Sequence, residues 1–166
     1  MHRVIPALLA ALMLAACVTS PQRVAGFRQA DVPIWSAAAF APDRIAGRWQ
    51  QVAGYAVRPG GCASGELEVI PAAGGYALRG TLCLDGKTQP VAALARPVGP
   101  GRLAVEGQEV WWVLWVDSGY RTLAIGTPSG RFGFVLDRGT ISPDRLSAAR
   151  EIFEFNGYVP GGLRPF

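Results

Sequence analysis

Pro71-Ala72-Ala73-Gly74-Gly75 is a turn signal set between two segments in which apolar and polar residues alternate with period two. A chain built this way folds back on itself as an antiparallel hairpin. With the turn centred between Ala72 and Ala73, Val69 faces Tyr76, Leu67 faces Leu78, Glu66 faces Arg79, and Cys62 faces Cys83. One face then carries Ala63, Gly65, Leu67, Val69, Tyr76, Leu78, Gly80 and Leu82 and reads as the interior. The other carries Cys62, Ser64, Glu66, Glu68, Ala77, Arg79, Thr81 and Cys83 and reads as the solvent side.

The pattern repeats on both sides of this hairpin. Asp85-Gly86 is a two-residue hairpin signal, and the strand after it runs to Arg96 with Pro90 at a bulge or edge position. Further strands are expected over residues 47–55, 102–106, 109–116, 121–127 and 131–137, the last three separated by the turns Asp117-Ser118-Gly119 and Pro128-Ser129-Gly130. The chain holds 21 glycines and 13 prolines while half of it is hydrophobic, which suits many short strands joined by tight turns. A helix should follow, with Ser142 as N-cap, Pro143 at its first position and Gly157 as its stop. Leu146, Ala149, Ile152 and Phe153 share its apolar face. The surface it covers is expected on strands six to eight, apolar on both sides: Trp112, Leu114, Leu123 and Ile125 on one, Trp111, Val113 and Trp115 on the other. The fold class is therefore all-β, eight antiparallel strands in sequence order with a C-terminal helix.

Residues 1–16 read differently. Arg3 precedes an apolar run of about 13 residues, a signal-peptide pattern too short for the roughly 20 residues of a spanning helix. The run ends in Leu14-Ala15-Ala16-Cys17, which resembles the bacterial lipobox. That resemblance implies cleavage before Cys17, lipid on its sulfur and new amino group, and a membrane anchor; the alternative is an ordinary secretory peptide with an incidental cysteine. Val18, rather than an aspartate, after the cysteine is similar to outer-membrane sorting signals and implies an outer-membrane protein facing the periplasm. Residues 17–40 read as a tether and 41–166 as the domain, beginning with one helical turn at Ala41-Pro42-Asp43-Arg44.

Eight strands in order and one helix form the layout of an up-and-down barrel with a helix on its outside. Gly47-Arg48-Trp49 resembles the Gly-x-Trp motif that opens the first strand of lipocalins, and Asp117-Ser118-Gly119-Tyr120 resembles their Asp-x-x-Tyr turn between strands six and seven. Arg138 is similar to the lipocalin arginine that packs over that tryptophan. Gly61-Cys62, Thr127-Pro128-Ser129 and Phe155-Asn156-Gly157-Tyr158 resemble the bacterial outer-membrane lipocalins in particular, with Gln50 and Val116 as departures. The resemblance implies that Gly47, Trp49, Asp117, Tyr120 and Arg138 hold the closed end, with Arg138 in a cation–π contact over Trp49. It also implies a fatty acid or lysophospholipid as ligand, and Arg58, Lys87 and Arg131 at the open mouth.

Face parity puts Leu67, Val69, Leu78, Leu82, Trp111, Val113 and Trp115 around one interior pocket, with Ala63, Gly65, Gly80, Ala93, Thr122, Ala124 and Gly133 leaving room beside them. Trp111 and Trp115 either line a cavity or fill a core. The leading expectation is a membrane-anchored protein that binds a small lipophile; the alternative is a filled barrel that contacts an envelope protein partner. Catalysis is disfavoured, because the chain after residue 16 has no histidine and shows no paired-carboxylate site. No cofactor or metal is implied. Without residues 1–16 the formal charge falls from +4 to +3, and the basic residues are scattered singly, so no nucleic-acid partner is expected. Cys62 and Cys83, opposite each other in an oxidising compartment, should form a disulfide.

Overall fold

A computed structural model describes residues 26–55 and 61–166; the signal segment, Cys17 and Arg58 lie outside the described residues. After a short 3-10 turn, Pro42–Ile45, come strands β1 (Gly47–Tyr55), β2 (Glu66–Ala72), β3 (Gly75–Leu84), β4 (Lys87–Gly99), β5 (Arg102–Val105), β6 (Trp111–Val116), β7 (Thr122–Gly126) and β8 (Gly133–Asp137). The helix α1 (Pro143–Phe155) and a short strand β9 (Leu163–Pro165) follow. Each strand pairs with the next from β2 to β8, β8 pairs with β1, and β1 pairs with β2, all antiparallel, so the eight-stranded barrel closes. The strand β9, which the sequence pattern does not announce, extends the sheet at the far end of β1.

The β2–β3 hairpin forms with its register displaced by two from the expected one. Val69 lies opposite Leu78 and Leu67 opposite Gly80, and the turn is Ala73-Gly74 with Ala72 opposite Gly75. The cause is the turn: Gly74 takes φ +74°, a left-handed conformation glycine adopts without steric cost. A slip of two keeps the alternation of β2 and β3, so Leu67, Val69, Leu78 and Leu82 are inside as expected, while Ala63, ahead of β2, is exposed and Cys83 is buried. Asp85 and Gly86, at φ 53° and 69°, make the expected primed turn into β4.

Two β-bulges break strict alternation elsewhere. In β1 the register shifts between Gln51 and Ala53, so Trp49 belongs to the barrel interior while Ala53 and Tyr55 pack under the helix. In β6 it shifts between Val113 and Trp115. Val113, opposite Ile125, is interior; Trp115, opposite Ala124, packs with the helix-side cluster. Strict alternation through this bulge misassigns Trp115 to the interior. It likewise sends Leu123 and Ile125 outward, whereas both are interior, and Ala124 inward, whereas it is helix-side. Gly133 also faces out, since a Cβ there would meet Phe153, Tyr158 and Tyr55.

The helix starts as expected, the Ser142 hydroxyl accepting from the Arg145 N–H at 3.4 Å, and buries Ala149 and Phe153 against β6 and β7. Residues 26–40, expected as a tether, instead strap across the barrel. Phe27 N–H donates to Gly130 O, Trp35 N–H to Asn156 Oδ1, and Ala37 N–H to Val113 O, and Arg28 is buried with its guanidinium on the carbonyls of Asn156, Pro128 and Val32. The strap is held because a buried guanidinium needs these acceptors.

Beneath the helix, Tyr158 packs on Phe153 and Tyr55 at ring separations of 4.9 and 5.0 Å, with its hydroxyl 2.9 Å from Phe132 O. Burial pushes the Tyr158 phenol up to about 12 and raises that of Tyr55 as well. A phenol that keeps its proton longer when folded stabilises the fold below the unfolded pKa near 10 and stops doing so as pH rises through 12. Alkaline titration should therefore show these tyrosinates appearing together with loss of near-UV circular dichroism. Ionisation of all four tyrosines near pH 10 with the fold intact would contradict this.

Candidate functional site

The closed end is built around Trp49. Its indole N–H donates to Ile45 O at 2.8 Å, and the Arg138 guanidinium lies over its ring at 4.1 Å. Arg138 also donates to Tyr120 O, Arg44 O and Ala46 O, so one cation ties the last strand to the chain entering the first. Burial lowers its pKa somewhat, and it remains charged. Gly47 takes φ +112° where a Cβ would strike Arg138, which accounts for glycine two residues before the tryptophan. The Asp117 carboxylate accepts from the N–H groups of Gly119, Arg121 and Thr122 and closes the β6–β7 turn. Tyr120, at φ 54°, puts its hydroxyl 2.6 Å from Ala41 N. All five motif residues thus meet in one lock at the closed end, whose Trp49 and Arg138 border a groove on the outside of the barrel.

The interior above this lock holds six of the seven pocket residues. Leu67, Val69, Leu78, Leu82, Trp111 and Val113 belong to one apolar cluster with Phe132, Phe134 and Leu136, and Trp115 lies outside it. None of the six is more than 4% exposed, so they pack against one another rather than around solvent-sized space. Trp111 stands edge-on to Phe134 at 5.2 Å and to Phe132 at 6.3 Å, and its N–H donates to Gln108 Oε1 at 3.0 Å. The expected parity of β8 turns Gly133 inward and so sends Phe132 and Phe134 outward, the reverse of their places in the interior. Phe134 lies opposite Ile125, and both rings stand beside Trp111.

At the open end a hollow of about 110 Å³ lies between the β3–β4, β5–β6 and β7–β8 connections. Leu84 and Phe132 supply its apolar lining, and Asp85, Gln89, Glu109 and Arg131 its polar lining. Of the expected mouth cations, Arg131 is here, Lys87 lies at the start of β4 just past Asp85-Gly86, and Arg58 is not described. A larger groove of about 530 Å³ lies over the outside of β1 to β3, with Arg48, Gln50, Glu66, Glu68 and Arg79 around Trp49, Leu67 and the Arg138 of the lock.

Cys62 and Cys83 are joined, their Cα atoms 5.7 Å apart. Cys83 is buried, not on the solvent face, because the side chain of Gln51 covers it. Gln51, fully buried, accepts from Cys83 N–H at 2.7 Å and donates to Cys83 O at 2.9 Å. A polar residue at an inward position of a first strand was the available signal for it.

No protein-family profile matches the chain, and no curated protein matches it. Among solved structures it is similar to lobster apocrustacyanin A1, with a TM-score of 0.54 over 81% of this chain and 88% of that one at 15% identity. At that identity the two share a fold: this chain is a closed eight-stranded, lipocalin-like barrel with one helix outside it.

Proposed function

We propose that this protein is an exported lipoprotein, anchored to the outer membrane through acylated Cys17, whose barrel takes one small lipophile such as a fatty acid or lysophospholipid. One observation carries the binding reading: a continuous apolar interior, from Leu67 and Leu78 to Trp111, runs up to a hollow at the open end bordered by Leu84 and Phe132. An acyl chain enters there by displacing Phe132, and Arg131 at the rim suits an anionic head group. The lipobox-like Leu14-Ala15-Ala16-Cys17 carries the anchoring reading.

The tight packing of the interior favours a second reading, a filled barrel that works through its surface on an envelope partner. Native mass spectrometry of protein extracted gently from its membrane separates them. Copurifying lipid supports the carrier. With the carrier, palmitate changes tryptophan emission saturably, Leu78→Arg abolishes the response, and Arg79→Leu, on the outer face, preserves it. No bound lipid and no response to any lipophile leave the filled barrel. Cys17→Ser should move the protein from the membrane to the soluble fraction; unchanged membrane association at normal levels would sink the anchor assignment.

A further inference from the structure

Three large apolar residues stay exposed where the strap, the helix end and the last turn meet. Trp35 is 61%, Phe155 66% and Val159 41% exposed. They are held together by the backbone: Trp35 N–H donates to the side chain of Asn156, the residue after Phe155, and Val159 N–H donates to Phe27 O at 2.8 Å. The patch sits at the height of the open end, since the Tyr55 hydroxyl, at the last residue of β1, donates to Val159 O and Tyr158 bonds the base of the β7–β8 connection. Its place on the path of the chain selects its occupant. Gly26 directly precedes Phe27 and lies nine positions after Cys17, a span of at most about 30 Å when fully extended.

We propose that this patch docks on the lipid surface, so that the barrel lies against the membrane with its open end toward the bilayer rather than standing away from it. The inference rests on the lipoprotein reading of Cys17. A lipid anchor leaving the fold beside Val159 brings the patch to the bilayer at high effective concentration. Trp35 has the amphipathic ring favoured at the headgroup level, and Phe155 and Val159 gain by leaving water. The elements that carry the patch hold charges of both signs, Asp31 in the strap, Glu154 at the helix end and Arg164 in β9, so docking draws on apolar contact and should not require anionic lipid. A lipophile held in the barrel would then pass between interior and bilayer with little exposure to water.

The test uses the full lipidated protein in phosphatidylcholine vesicles, part of whose lipid is brominated near the headgroup. Trp35 is the one strongly exposed tryptophan, Trp49 and Trp111 being buried and Trp112 and Trp115 half-buried. Brominated lipid should quench the emission that Trp35→Phe removes, and the Trp35→Phe protein should show little further quenching. Trp35→Ser with Phe155→Ser, both surface changes, should leave the protein anchored and folded while exposing its open end to proteolysis several-fold faster. Anchored protein whose Trp35 is unquenched overturns the docking and leaves the anchor standing. Absence of acyl mass on Cys17 overturns the anchor and the docking with it.

Discussion

Gln51→Leu is expected to lower the unfolding free energy by about 2 to 6 kcal/mol, a large share of the roughly 5 to 15 kcal/mol of an ordinary domain. The reason lies where β2 begins. In an antiparallel ladder alternate residues turn their N–H and C=O to opposite neighbours, and the pair Leu84 and Lys87 closing the Asp85-Gly86 turn leaves Cys83 bonded away from β4. The β2 ladder begins only at Glu66, opposite Thr81, so among the described residues no β2 backbone pairs with Cys83. The Gln51 amide takes that place, one donor and one acceptor on one planar group, while Gln51 N–H donates to Gly65 O at 2.8 Å. Leucine fills similar space and leaves two buried backbone groups unpaired, each costing about 1 to 3 kcal/mol.

Gln51→Glu gives a second, opposite signature. The ionised carboxylate keeps the bond from Cys83 N–H and loses the one to Cys83 O, and burial raises its pKa. A folded-state pKa above the unfolded value near 4.3 gives stability that is present at acid pH and lost as pH rises through the folded value. The variant should therefore be most stable near pH 4, where the protonated acid can donate. Chemical denaturation with the Cys62–Cys83 bond intact measures both; a Leu variant within 0.5 kcal/mol of the parent, an ordinary surface value, would show that Cys83 is satisfied another way.

The same residues show what a pattern in one dimension carries and where it stops. Strand spans and turn chemistry are local, and β1 to β8 fall within two residues of the expected bounds apart from β2, which starts four residues after Cys62, and β4, which runs three residues beyond Arg96. The lock at the closed end was legible because its motifs are short and each role is geometric: a glycine under an arginine, an aspartate over three N–H groups. Bulges are different. The extra residues in β1 and β6 come from the curvature of a closing barrel and leave no mark on composition, so parity counted through them moved Trp115 to the wrong side. The disulfide was found although its register was off by two, because Cys62 lies beyond β2 in a segment free to reach Cys83. The strap is illegible for a related reason: Arg28 and Phe40 are held by contacts 80 or more residues away along the chain, and nothing periodic marks them.

Trp111→Ala is expected to cost about 3 to 5 kcal/mol and to create a binding site in the same stroke. Trp111 is 1% exposed and forms the centre of the upper interior, edge-on to both Phe132 and Phe134, pairs that add about 0.5 to 1.5 kcal/mol each beyond simple burial. Its removal also strips Gln108 of its partner, a small loss because Gln108 sits at the solvated rim. The barrel wall is a closed ladder and cannot collapse onto the gap as a loose core would, so much of the volume should persist as a dry, apolar hole of the kind that admits benzene or a short acyl chain. This variant separates the two readings of the interior. If the parent already carries a lipophile, Trp111→Ala should change the size preference of the ligand, and ligand should restore part of the lost stability by mass action. If the parent barrel is filled, binding should appear for the first time in the variant, as a rise of Tm with benzene that the parent lacks. A destabilisation below about 1 kcal/mol with no ligand response in either protein would mean that the tryptophan is not packed as described, and both accounts of the interior would fail together.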